Sequence, residues 1–137
     1  MNDTPHEPPV ILLAEDNPGD AQLALYALRA GGWTHGLVWV KDGEEAIEWF
    51  FGEGRHAGRH VEEQPRLALL DIQMPRLSGI EVLERLKADP RTADIPVVIF
   101  TSFAGEEIEA QARALGAVEF LQKPVDFDKY EKAKCDW

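Results

Sequence analysis

One cysteine, Cys135, is all the chain contains. No disulfide can form within it, which fits a reducing compartment. Long hydrophobic runs are missing as well. No stretch of the 137 residues is apolar for the length a bilayer crossing needs, and the N-terminus lacks a signal peptide's apolar core. A cytoplasmic protein without a membrane span is expected. Basic residues are scarce too: 14 Lys and Arg stand against 25 Asp and Glu, a formal charge of −11. That excess repels a phosphate backbone and argues against direct nucleic-acid binding. Apolar residues, by contrast, make up 45% of the chain, enough for one domain with a single core.

Residues Met1–Pro9 are polar and proline-rich and read as a disordered leader, with a single domain over residues 10–137. Five short apolar runs follow: Val10–Ala14, Leu37–Val40, Leu67–Asp71, Ile95–Phe100 and Val118–Leu121. Unbroken apolar runs of this length are typical of strands buried on both faces of a parallel sheet. Between and after them, apolar residues recur at helical spacing in Ala21–Ala30, Glu44–Phe51, Gly79–Ala88, Glu106–Leu115 and Asp126–Cys135. Strand–helix order repeated five times implies an α/β, doubly wound, five-stranded parallel sheet with helices on both faces. Gly52–Arg66 is polar and long for a connection, and reads as a solvated surface loop in which His56 and His60 are not metal ligands.

The polar residues fall at the carboxyl ends of these strands. Asp71 ends the third and is followed by Met74-Pro75 and Gly79, which break the chain. Alone, it reads equally as a nucleophile or metal ligand and as a turn cap. However, Glu15 and Asp16 follow the first strand, Thr101 the fourth and Lys123 the fifth. In a parallel sheet all these ends share one edge, where ligands bind in open α/β folds. Three carboxylates brought together repel one another unless a cation is present. An all-oxygen set suits Mg²⁺ better than Zn²⁺. With the hydroxyl of Thr101 and the ammonium of Lys123, such a site offers positioning and charge stabilisation, which is what phosphoryl transfer to a carboxylate requires.

Glu15-Asp16, Asp71 with Met74-Pro75 and Gly79, Thr101 and Lys123-Pro124 resemble the receiver domains of two-component response regulators, and the resemblance runs from about Val10 to Asp128. It implies the flavodoxin-like (βα)5 fold and a phosphorylation-dependent signalling switch. In that reading Asp71 accepts a phosphoryl group from a phosphohistidine on a sensor histidine kinase. Asp16 and Asp71 bind Mg²⁺ directly, together with the main-chain carbonyl of Gln73, and Glu15 acts on the metal through water. Thr101 and Lys123 contact the phosphoryl oxygens, and Phe120 stands where the family keeps its switch aromatic. Catalysis would be limited to the domain's own phosphorylation and dephosphorylation, with no output domain attached.

Glu15 replaces the commoner aspartate and keeps its charge. Phe120 replaces the usual tyrosine, so a switch built on a ring hydroxyl is unavailable, and movement of ring and Thr101 would depend on packing. Gln73 and Phe103 sit where the family tunes the lifetime of the aspartyl phosphate, and Phe103 is expected to hinder water and lengthen it. The long loop, Asp89–Thr92 and the single domain resemble the receivers that partner bacteriophytochrome-type kinases. The family's Lys123-Pro124 bond is commonly cis, and cis is expected here. Phe127, Tyr130 and Trp137 could form an apolar patch for a homodimer. Two other readings stand beside this one. One is a degenerate receiver that binds partners without phosphorylation. The other is a phosphohydrolase similar to the haloacid dehalogenases, which Gln73 disfavours because it occupies the position of their general acid.

Overall fold

The computed structural model describes residues 9–102 and 105–123. The expected leader (except Pro9), Phe103, the Lys123-Pro124 bond, the last helix Asp126–Cys135 and the Phe127, Tyr130 and Trp137 patch lie outside the described residues. Within them, β1 (Ile11–Ala14), α1 (Pro18–Ala30), β2 (Leu37–Val40), α2 (Gly43–Phe51), β3 (Leu67–Leu70), α3 (Gly79–Ala88), β4 (Val97–Thr101), α4 (Glu106–Ala114) and β5 (Glu119–Gln122) follow in order. All pairings are parallel and the strand order is β2-β1-β3-β4-β5. This is the flavodoxin-like topology expected from the sequence.

The order follows from right-handed crossovers. The chain steps one way from β1 through α1 to β2, then returns past β1 through α2 to β3. A right-handed connection therefore puts α1 on one face and the later helices on the other. Two core clusters record this. Ile11, Leu13, Leu67, Leu69, Val98 and Phe100 pack with Ala21, Ala24, Leu25 and Leu28 of α1. Leu12, Ala14, Ala68, Leu70, Val97 and Ile99 pack with the apolar sides of α2 and α3 and with Ala112 of α4. Alternate strand residues thus serve opposite faces. Burying one leucine of this kind is worth roughly 1.5–3 kcal/mol.

Several boundaries move from the sequence reading. α1 begins three residues earlier, at Pro18. Asn17 caps it, its side chain accepting from the Asp20 N–H, and Pro18 needs no partner at the first helical position. The fourth strand starts at Val97 rather than Ile95 and reaches Thr101, because the Ile95 N–H turns back to the Thr92 carbonyl and Lys87 Nζ donates to the carbonyls of Ala93 and Ile95. These bonds close a turn where the apolar pattern alone reads as strand.

The 52–66 connection is held down rather than merely solvated. Gly52 ends α2 in the left-handed region, φ 63°. Arg59 then stacks on Trp49, 3.7 Å from the ring centroid, and donates to the carbonyls of Trp49, Phe50 and Glu63. Gln64 adds a second donor to the Phe50 carbonyl at 3.0 Å. The last carbonyls of α2 are thereby satisfied by a segment that reads as polar loop. His56 is half-buried and bonded to Glu45 at 2.9 Å, so it is not solvated as expected.

Candidate functional site

The site begins with the register. Ala14 pairs with Leu70 and with Val40, and the ladder continues one residue further. The Asp71 N–H donates to the Ala14 carbonyl, and the Glu15 N–H to the Val40 carbonyl. Glu15 and Asp71 are thus neighbours just past the ends of β1 and β3. This is where the strand order reverses, the crevice at which open α/β sheets bind ligands. The alternation that sends Leu13 and Leu69 toward α1 carries on to Glu15 and Asp71, so both are buried, 0% and 4% exposed.

Asp16 lies at the rim, exposed. Carboxylate oxygens of Glu15, Asp16 and Asp71 lie within 4.8 Å of one another. Three charged groups at such a spacing demand a counter-charge. Lys123, one residue beyond β5, supplies part of it. Its ammonium bonds to Glu15, to Asp71 Oδ2 at 3.1 Å and to Asp20 Oδ2 at 2.9 Å, with Phe100 5.1 Å below. The Lys123 N–H also donates to the Thr101 carbonyl at 2.8 Å, so Thr101, fully buried at the end of β4, fixes where the lysine leaves the sheet.

Burial pushes the Glu15 carboxyl up to about 7, against opposing bonds from Lys123 and the Asn17 N–H. Burial also works to lower the Lys123 ammonium. Its hydrogen bonds to Glu15, Asp20 and Asp71 outweigh that and hold it above an ordinary lysine. An all-oxygen, carboxylate-rich donor set with Asp16 exposed to water fits Mg²⁺ or Mn²⁺.

Two close packings hold the loop that follows Asp71. A Cβ on Gly79 would stand 2.2 Å from the Asp71 carbonyl oxygen, and one on Gly43 would stand 2.0 Å from that of Leu77. Only glycine lets α3 and α2 approach this loop so nearly. The Gln73 N–H donates to Asp71 Oδ1 at 3.3 Å. Arg76, with φ 74°, reaches Asp42 and Glu44 on the α2 side at 3.5 Å. Phe120 is half-buried against the α2–α4 cluster, on the sheet face away from Lys123.

The sequence reading placed Glu15, Asp16, Asp71 and Lys123 on one sheet edge, and the structure brings their side chains together there, with Thr101 beside them through its main chain. It missed two residues. Asp20, on the first turn of α1, is a third partner of Lys123. Trp39 of β2 donates its indole N–H to the Glu15 carbonyl at 2.8 Å, pinning the Glu15–Asp16 peptide. The only signal for Asp20 was its position in the acidic stretch Glu15–Asp20, and Trp39 gave none. Away from this edge, exposed His60 and Glu62 with half-buried Glu63 also bring ligand atoms close together, on the 52–66 connection. His56 takes no part there.

Comparison with known proteins agrees with this geometry. The response regulator receiver domain family matches residues 11–133. The response regulator Rcp1 of Synechocystis sp. is 34% identical over 107 residues, 78% of this chain and 71% of Rcp1. The crystal structure of Rcp1 in its Mn²⁺-bound form superposes with a TM-score of 0.77 at 30% identity, covering 93% of this chain and 89% of that one. The bacteriophytochrome response regulator AtBRR gives 0.79 at 36% identity, over 94% of this chain and 91% of AtBRR.

Proposed function

The chain belongs to the response regulator receiver domain family, and we propose that it works as a phosphorylation switch whose acceptor is Asp71. The donor is the phosphohistidine of a sensor histidine kinase in the cytoplasm, of the phytochrome type by analogy with AtBRR and Rcp1. An Asp71 carboxylate oxygen forms the new bond to phosphorus as the P–N bond to the imidazole breaks, and the imidazole leaves with a proton from solvent. Lys123 steadies the phosphoryl oxygens, Thr101 takes the remaining one, and Asp71 needs no activation beyond its charge and position.

Glu15, Asp16, Asp71 and the Gln73 carbonyl would hold Mg²⁺, which supplies positive charge to the phosphoryl oxygens. Among the described residues no helix is long and apolar enough to cross a membrane. The observation that carries the reading is the meeting of three carboxylates from two strand ends, within 4.8 Å, with a lysine from a third strand bonded to two of them. Phosphoryl transfer to a carboxylate needs this set, and a turn cap needs none of it.

Incubation with acetyl phosphate and Mg²⁺ followed by intact-mass measurement tests the proposal. Wild type should gain one phosphoryl group and Asp71→Asn none. No gain in wild type, or an equal gain in the variant, overturns it.

A further inference from the structure

Asp20 stands apart from the other acidic residues that follow a helix cap in this chain. In α3 the N-cap Ser78 accepts from the Glu81 N–H, and the Glu81 side chain returns to the Ser78 N–H at 3.0 Å. This reciprocal box satisfies two free donors at a helix start. In α2, likewise, Glu45 reaches back to the Lys41 N–H at 3.0 Å. α1 has the same opening, with Asn17 as N-cap and Asp20 three residues on. There the Asn17 N–H is already taken, by Glu15 Oε2 at 3.0 Å. The Asp20 carboxylate is released from capping and turns instead to Lys123, 103 residues away in sequence.

The Lys123 ammonium has three N–H donors and meets three carboxylates: Glu15, Asp20 and Asp71. These are unequal. The side chains of Glu15 and Asp71 are 0% and 5% exposed, whereas that of Asp20 is 42% exposed. The two buried partners are also the two with other work in the reaction. Asp71 gives up acceptor strength when one of its oxygens bonds to phosphorus, and Glu15 belongs to the metal-binding set. Asp20 has neither task, and it comes from a helix whose first turn is fixed by the Asn17 cap.

We propose that Asp20 is a positioning residue for phosphoryl transfer, a tether that keeps the Lys123 ammonium over Asp71 when Glu15 and Asp71 turn to other partners. It rests on the reading of Asp71 as phosphoacceptor. Lys123 keeps its bond to Asp20 while a second N–H passes from Asp71 to an incoming phosphoryl oxygen, so the four-carbon side chain does not have to be recaptured from solvent at each turnover. An enzyme group held in place before the reaction removes an ordering cost from the barrier.

The tether and a simple charge effect predict opposite signs. The phosphoryl donor is an anion. Removing the Asp20 charge from the mouth would, by repulsion alone, speed phosphorylation. Loss of a tether slows it. With acetyl phosphate and Mg²⁺, followed by intact mass, Asp20→Asn should be about fivefold slower than wild type at saturating donor, and Asp20→Glu close to wild type. In Mg²⁺-bound protein labelled with ¹⁵N-lysine, where Glu15 and Asp71 turn to the metal, and with the Lys123 Nζ signal assigned through Lys123→Arg, wild type should show a slowly exchanging ammonium. That signal should be lost in Asp20→Asn and restored in Asp20→Glu. An unchanged ammonium signal in Asp20→Asn, or a rate equal to or above wild type, overturns the tether. If wild type is not phosphorylated at all, the function proposed above fails, while the ammonium signal still decides whether Asp20 holds Lys123.

Discussion

The Glu15 carboxyl sits at about 7 in the folded chain against an ordinary value of 4.5, raised by burial. Between those two values the folded protein keeps a proton that the unfolded chain has lost. Stability of the metal-free protein should therefore fall as pH rises from about 4.5 to about 7 and change little from this source above that. Urea unfolding at about pH 5 and about pH 8 measures the decline, which Glu15→Gln should lack. A decline of the same size in the variant would show that another group carries it. The same carboxylate depends on Trp39, whose indole N–H holds the Glu15 carbonyl. Trp39→Phe keeps an aromatic ring, though a smaller one, and leaves that carbonyl without its donor. It should cost about 1–2 kcal/mol in urea unfolding and weaken Mg²⁺ binding in a calorimetric titration. An unchanged Mg²⁺ affinity would mean that the bond serves folding alone.

α3 and the 52–66 connection show how whole elements present these residues. α3 starts directly beneath the loop that follows Asp71. The Gly79 N–H donates to the Ile72 carbonyl, and its missing Cβ leaves room for the Asp71 carbonyl oxygen. Gly79→Ala pushes that peptide away, and since backbone opposes backbone there is no side chain to yield. A loss of about 2 kcal/mol or more is expected in urea unfolding, with phosphoryl gain at Asp71 lost or strongly slowed by intact mass. Full activity would show that the loop can shift without moving its carboxylate. On the same face of the sheet, at the end of α2, Arg59→Ala removes the stack on Trp49 and leaves α2 carbonyls short of donors. Amide exchange over residues 52–66 should speed markedly while the strands stay protected. Arg59→Lys should not rescue it, because an ammonium lacks the planar fork that reaches several carbonyls at once. Rescue by lysine would point to charge rather than geometry.

For the molecule as a whole, the charge of −11 bears on partners rather than on the fold. A kinase surface that docks here is expected to present basic groups, and association should weaken as salt rises. Surface plasmon resonance at several salt concentrations reads this, and a salt-independent on-rate would contradict it. A homodimer remains our proposal for assembly, as in the sequence reading. Light scattering across concentration, with and without an acyl-phosphate mimic, should show a rise in mass on activation. A constant monomer mass would remove it.

The apolar runs and the helical spacings were enough for a parallel sheet with helices on both faces, because parallel strands buried on both faces leave an unbroken hydrophobic signal, while the flavodoxin-like topology came with the resemblance to receiver domains. Strand ends were marked by polar residues, so Glu15, Asp16, Asp71, Thr101 and Lys123 could be gathered on one edge before any coordinates. Element ends were less legible. The Ile95 turn and the early start of α1 are settled by main-chain and capping bonds that hydrophobic periodicity does not report. Arg59 looked like any loop arginine until Trp49 and the carbonyls of α2 came within its reach. Asp20 was hidden for a related reason. Its local context is a helix opening like those of α2 and α3, and its different use depends on Glu15 taking the Asn17 N–H and on Lys123 arriving from the far end of the chain. Local chemistry placed the Asp71 carboxylate at a strand end. Folding put Glu15, Lys123 and Asp20 around it, by a pairing register and a helix face that no single segment encodes.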